Sequence, residues 1–337
     1  MGLQWLVALL AAGLGGARGF DVEGNRIKGV MAATYTPMKN GGMELDLTKV
    51  KPYAAHLASI NVTHAMPAGT SGESVSLTVS ERKQLAEEWA KVAPGIGVKV
   101  YIHVGAESLL DAIELARHAA TLPGVSGIVC MPPVYFKPSL ETLHDFLAAV
   151  SGAAPALPIW YYHIPVFTGV LQGRAHELLQ LAEKTGKLPK LMGIKFTDYD
   201  LADFTACLQV ANGKYNLLFG RDDKGLSALM LGCDGVVSST VNYSPTLREV
   251  VQLYAKGDLR GAAAAQQKNA DLCDTFGPYG LDAKNVQKAI MRMVGVDVGP
   301  SRLPYQDLTP SEYAALEAKL QSKGFIDTEP LAGASRV

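Results

Sequence analysis

A lysine at the end of an apolar run is the feature of this 337-residue chain that most needs a chemical reason. Lys195 sits in Leu191-Met192-Gly193-Ile194-Lys195-Phe196. Burial there penalises the ammonium and favours the neutral amine, which attacks a ketone to form a Schiff base. A buried lysine can also stay charged against a carboxylate on a neighbouring strand, and the run alone does not choose. The loop Gly69-Thr70-Ser71-Gly72-Glu73 offers a second group. Its glycines allow a tight turn that aims N–H groups and two hydroxyls at one spot, a nest for the carboxylate of a 2-oxo acid. Taken singly it reads more readily as an ordinary βα turn. Tyr162, in Tyr161-Tyr162-His163-Ile164-Pro165, is a phenol for proton transfer or a filler of a cavity mouth. Asp222 and Asp223 are carboxylates for substrate hydroxyls or caps for the following helix. His103 and His163 read as satisfied scaffold histidines, and Tyr135 is undecided by itself. With Thr197, Gly220, Ser238 and Ser239, the set is rich in hydroxyls, holds one strand lysine, and contains no ligand cluster for a metal. It points to proton shuttling and carbonyl chemistry.

These groups are far apart in sequence, so a scaffold must gather them. From Gly29 onward, strand-like runs at 30–34, 62–67, 98–104, 127–131, 158–162, 191–196, 216–220 and 235–239 alternate with helical stretches. The runs are continuously apolar, as strands buried on both faces should be. Helices are expected over 80–92, after a Thr78/Glu81 capping-box pair, and over 109–121, 139–150, 175–185, 201–210, 224–231 and 245–255. Eight tandem βα units predict an α/β fold, a closed (β/α)8 TIM barrel over 25–257. No GxGxxG loop follows the first strand, which argues against dinucleotide binding. Helical stretches near 259–275, 284–294 and 310–320 predict a C-terminal helical extension over 258–327. Active sites in such barrels lie at the C-terminal ends of the strands, and that is where the groups above fall.

Composition narrows the rest. The chain is 48% hydrophobic and 19% charged, with a net charge of −1. That excludes a disordered chain and a basic surface for nucleic acid or anionic lipid. The four cysteines, Cys130, Cys207, Cys233 and Cys273, form no CxxC pair, which excludes a disulfide scaffold or structural zinc. An apolar run over 6–17 reads as a secretory signal within 1–19, with an extra N-terminal helix as the alternative; it is too short to span a membrane. Of two sequons, Asn61-Val62-Thr63 is expected to open a buried strand and Asn242-Tyr243-Ser244 to follow another, so neither suits a glycan and the compartment stays open.

Together, Gly69-Thr70-Ser71-Gly72-Glu73 with Val79-Ser80-Glu81-Arg82, the Tyr161–Pro165 run, Gly193-Ile194-Lys195-Phe196-Thr197 and Gly220-Arg221-Asp222-Asp223 resemble a known family. It is the N-acetylneuraminate lyase branch of the pyruvate-dependent class I aldolases, a superfamily that includes dihydrodipicolinate synthase. The run Gly299-Pro300-Ser301-Arg302-Leu303-Pro304 is similar to the tail of the animal lyases, and the likeness spans 29–326. The resemblance implies a covalent imine on Lys195 with no separate cofactor or metal. It implies Tyr162 as the proton shuttle at the cleaved bond, and Thr70 and Ser71 as carboxylate binders, with Ser71 also in a hydroxyl relay. Thr197, Gly220, Asp222, Asp223 and Ser239 match positions that contact the sugar-derived part of the substrate. Tyr135 matches a tyrosine that reaches into the neighbouring subunit's site and supports the relay, and membership of the family implies a homotetramer. A small-molecule substrate, no nucleic acid, no membrane span and a cytoplasmic location are implied as well.

Three positions depart from that pattern: Asp223 replaces the usual glutamate, Ser238 a glycine and Val241 a tyrosine. Phe167 stands where the synthases carry an arginine for a second carboxylate, and an apolar ring cannot pair with one. The implied activity is reversible cleavage of N-acetylneuraminate to N-acetylmannosamine and pyruvate. The departures keep another 2-oxo-3-deoxy acid as an alternative. A non-catalytic barrel for binding or assembly is a third reading, opposed by the intact Lys195, Tyr162 and Gly69–Glu73 set.

Overall fold

The computed structural model describes residues 23–279 and 283–326. Eight strands form the barrel: β1 (Gly29–Ala33), β4 (His64–Met66), β5 (Lys99–His103), β6 (Val125–Cys130), β7 (Ile159–His163), β8 (Leu191–Phe196), β9 (Asn216–Phe219) and β10 (Gly235–Ser238). They pair in parallel and close in the order β1-β10-β9-β8-β7-β6-β5-β4, which leaves no sheet edge exposed. Each expected strand is present, β8 with the expected bounds and the others with one or both ends displaced by one or two residues. Two short strands, β2 (Met38–Lys39) and β3 (Glu44–Leu45), form an unexpected hairpin after β1. Eight helices belong to the barrel region: α1 (Val50–Ser59), α2 (Val79–Val92), α3 (Leu109–Ala120), α4 (Leu140–Ala153), α6 (Ala175–Thr185), α7 (Leu201–Gln209), α8 (Gly225–Leu231) and α9 (Thr246–Ala255). A single turn, α5 (Pro165–Thr168), follows β7. Helices α1 and α5 were not expected from the sequence. The C-terminal part adds α10 (Leu259–Phe276), α11 (Lys284–Met293) and α12 (Pro310–Ser322). Thr78 and Glu81 make the expected capping box, and Thr309 with Glu312 repeats it at α12.

Burial divides the apolar residues into two layers. Met31, Met66, Tyr101, Val129, Trp160, Met192, Leu218 and Val237 fill the barrel, while a larger cluster lies between strands and helices. Alternation sends Trp160 and Tyr162 of β7 inward and Ile159 and Tyr161 outward. Strand β8 breaks this rule. Ile159 pairs with Leu191 but Trp160 pairs with Gly193, so β8 holds one extra residue at this point. The bulge resets the alternation: Met192 packs inside, Ile194 and Phe196 pack outside, and Lys195 pairs with the inward Tyr162 and Leu218. Only glycine fits here, because a Cβ on Gly193 would lie 1.9 Å from the Asn216 carbonyl oxygen on β9.

Asn61 corrects an expectation. It lies exposed in the turn after α1, with φ of 57°, and the strand it was expected to open begins only at His64. Asn242 is fully buried, its amide donating to Ala33 O and Ser239 O. The 1–19 segment lies outside the described residues. Among those described, no helix is long and apolar enough to cross a membrane.

Candidate active site

The C-terminal ends of the strands surround one cavity of about 500 Å³, a size suited to a small-molecule ligand. Thr70, Ser71, Tyr162, Lys195, Thr197, Gly220, Asp222, Asp223 and Ser239 all line it. Tyr135 does not. It lies after β6 with its side chain 81% exposed, in edge-to-face contact with the equally exposed Phe136.

Lys195 is 4% exposed at the cavity floor, and its Nζ stands 3.8 Å from the centre of the Tyr162 ring. The Tyr162 hydroxyl is 3.1 Å from Thr70 Oγ1. Amine, phenol and carboxylate loop therefore meet at one point. Within the loop, Glu73 N–H donates to Thr70 O and Ser74 N–H donates to Gly69 O, and Thr36 Oγ1 donates to Gly72 O at 2.6 Å. The N–H groups of Thr70 and Ser71 have no acceptor among the described residues, as a nest for an anion requires.

Behind Tyr162 stands His103, buried and edge-on to the phenol at 6.0 Å. Burial, then the charges of Arg82 and Lys195, hold this imidazole well below its ordinary pKa, so it is neutral. Arg82 donates to the carbonyls of His103 and Gly105. Burial likewise lowers His163 to about 4. Both are buried, but neither is the satisfied histidine that was expected: each Nε2 lacks a hydrogen-bond partner among the described residues.

The opposite wall is polar. Thr197 Oγ1 is buried without a partner and borders the cavity. A Cβ at Gly220 would sit 2.0 Å from that oxygen, so glycine keeps it accessible. Asp222 does not cap α8. Its Oδ2 accepts from the N–H groups of Ser239 (3.1 Å) and Thr240 (2.8 Å) and from the Ser238 hydroxyl (2.8 Å), fixing the turn after β10. Asp223 is engaged by the Tyr199 hydroxyl at 3.2 Å and flanked by Arg221 and Lys224, each at 3.8 Å. Arg221 stacks on the Tyr199 ring and donates to its hydroxyl. Burial, with Asp200 and Asp203 nearby, raises the pKa of Asp198 at the same rim.

The C-terminal helices supply wall residues that the sequence reading missed: Cys273 and Phe276 from α10, Lys284 and Gln287 from α11. Gln287 Oε1 accepts from the Tyr35 hydroxyl at 2.8 Å, which also lies 3.1 Å from Ser239 O. An inward amphipathic face on α11 was the one available signal, but it does not say which strand ends the helix covers. The four cysteines are thiols, and among the described residues no His, Cys, Asp and Glu group could hold a metal ion.

Comparison with known proteins agrees with this geometry. The profile of the Dihydrodipicolinate synthetase family matches residues 26–323. N-acetylneuraminate lyase of Rattus norvegicus is 40% identical over 306 residues, covering 89% of this chain and 94% of that protein. The structure of Proteus mirabilis N-acetylneuraminate lyase superposes with a TM-score of 0.83 at 33% identity, covering 89% of this chain and all of that one. Dihydrodipicolinate synthase of Cyanidioschyzon merolae superposes at 0.81 with 28% identity, covering 89% and 99%. A match over nearly the whole barrel and C-terminal extension, on a chain with a lysine and a tyrosine paired inside the barrel, places it in the dihydrodipicolinate synthetase family.

Proposed function

We propose that the protein is a Schiff-base carbon–carbon lyase that cleaves N-acetylneuraminate reversibly to N-acetylmannosamine and pyruvate. The observation that carries this reading is the meeting of Lys195, Tyr162 and Thr70 at the floor of a single cavity. The Lys195 amine adds to the C2 ketone of the open-chain sugar, and water leaves to give a protonated imine. The C1 carboxylate lies in the Thr70–Ser71 nest. Tyr162, relayed through hydroxyls that include Ser71, takes the proton of the C4 hydroxyl. The C3–C4 electron pair moves into the iminium, the aldehyde departs, and the resulting enamine is protonated at C3 and hydrolysed to pyruvate. Thr197, Gly220, Asp222, Asp223 and Ser239 border the sugar half, with Asp222 both fixing the Ser239 turn and facing the cavity. Phe167 lines the cavity where a second substrate carboxylate would need a cation, which supports a sugar acid over a dicarboxylate. The exposed Tyr135 supports a homotetramer in which this residue enters the neighbouring copy's site.

The test is borohydride reduction in the presence of pyruvate, followed by peptide mass analysis. A reduced pyruvyl adduct on Lys195, with release of pyruvate from N-acetylneuraminate, is expected. An adduct elsewhere, or none, refutes the mechanism.

A further inference from the structure

The Glu73 side chain turns away from the cavity in which its loop takes part. It is 2% exposed, and its backbone is left-handed, with φ of 57°, a conformation that costs a non-glycine residue energy and persists only when something holds it. Both carboxylate oxygens are held from the far end of the chain. Oε1 accepts from Lys288 Nζ at 2.9 Å and Oε2 from Arg302 N–H at 2.9 Å. Lys288 is itself 3% exposed and also donates to Pro300 O at 2.7 Å. The Arg302 guanidinium then bonds Gly42 O, Ser76 O and both oxygens of Glu81, the carboxylate that starts α2.

We infer that Lys288 is a positioning residue for the carboxylate end of the site, acting through Glu73. Glu73 N–H donates to Thr70 O, and Ser74 N–H to Gly69 O, so a shift of Glu73 is passed directly to Thr70 and, through Ser74, to Gly69 at the start of the loop. A buried ion pair is a poor source of net stability, since desolvation offsets the attraction. What it supplies is direction: a fixed length and angle between α11 and the loop. The same helix carries Gln287, one residue earlier, to Tyr35 and the β10 end. One helix thus sets both ends of the substrate channel. This inference rests on the carboxylate-nest reading given above.

The experiment measures borohydride trapping of Lys195 against pyruvate concentration in wild type, Lys288→Met and Glu73→Asp, with circular dichroism confirming folding. Misplacing a binding group by about 1 Å costs up to ~100-fold. Half-saturating pyruvate is expected to rise roughly 10-fold or more in both variants, with KM for cleavage rising more than kcat falls. Lys288→Arg, which keeps the charge, should recover part of the loss. A folded Lys288→Met with wild-type half-saturation, or with lowered kcat at unchanged KM, overturns the inference. If Lys288→Met does not fold, Glu73→Asp decides on the same criteria, because it keeps the charge and shortens the tether by one methylene. Absence of trapping in wild type overturns the imine reading and this inference with it; normal trapping with unchanged half-saturation overturns the inference alone.

Discussion

Gly193→Ala tests whether the bulge in β8 is what presents the Lys195 amine to the cavity. The added methyl would lie 1.9 Å from Asn216 O, 2.7 Å from Asn216 C and 2.8 Å from Asn216 N. The first value is about 1.5 Å short of ordinary van der Waals contact, and all three atoms are backbone of the paired strand. No side-chain rotation relieves such a clash. Either β8 and β9 separate locally, or the bulge is expelled and the strand slips by one residue. Overpacking that moves backbone costs about 3 kcal/mol, the upper end of the usual range. At about 1.6 °C per kcal/mol for a folded unit of this size, the thermal midpoint should fall by roughly 5 °C. The functional loss should be larger. A one-residue slip carries a side chain to the opposite face of a strand, so Lys195 would leave Tyr162 and point toward the surrounding helices. Trapping by pyruvate should then fall by ~100-fold or more. The assay pairs a melting curve with mass analysis of the Lys195 peptide after borohydride. A variant that melts and traps like wild type would refute the account of how the amine is aimed.

Other substitutions separate the remaining roles. Tyr162→Phe keeps the ring beside Lys195 and deletes the hydroxyl, so trapping should survive while turnover on N-acetylneuraminate falls ~10²–10⁴-fold. Asp222→Ala strands the N–H groups of Ser239 and Thr240 and should destabilise the fold by about 2–3 kcal/mol. Asp222→Asn keeps one oxygen for that turn and should retain most stability while raising KM for the sugar; differential scanning calorimetry and steady-state kinetics read the two effects. Asp223→Glu should lower KM for N-acetylneuraminate or leave it unchanged, with pyruvate trapping unaffected; kinetics on a shorter 2-oxo-3-deoxy acid provide the control. Burial holds His163 and His64 at about 4, so both are neutral when folded, while the unfolded chain binds protons near 6.5. Their stabilising effect is complete above pH 6.5 and is lost as the pH falls toward 4. The thermal midpoint should drop across that window, and His163→Asn should flatten part of the slope.

The barrel was legible because each strand is an apolar run, and several runs end beside a chemically distinctive residue. What the runs conceal is phase. A strand buried on both faces carries no polar alternation, so nothing in Leu191–Phe196 says that Lys195 points inward, and the bulge at Gly193 decides it. The hairpin formed by β2 and β3 was missed because two residues per strand are too few to show a period. The helix α1 was missed because Lys51 and Pro52 obscure its start. Site residues on the strand ends were found by type. Asp222 was not understood, since its partners, Ser238 to Thr240, lie on another strand end. Glu73 was read with its loop, whereas its carboxylate belongs to Lys288, 215 residues away. Local pattern cannot report a partner at that separation.

That separation has a consequence for synthesis. The ring of strands is complete at Ser238, but Lys288 follows about 50 residues later, a delay of ~3–10 s at 5–20 residues per second on the ribosome. Through that interval Glu73 has no ammonium to meet, Tyr35 has no Gln287, and the mouth of the barrel lacks a wall. The nascent protein passes through a stage with the barrel residues of the site made but the Gly69–Glu73 loop not yet anchored. Proteolysis of the nascent chain at the Gly69–Glu73 loop should end when α11 docks.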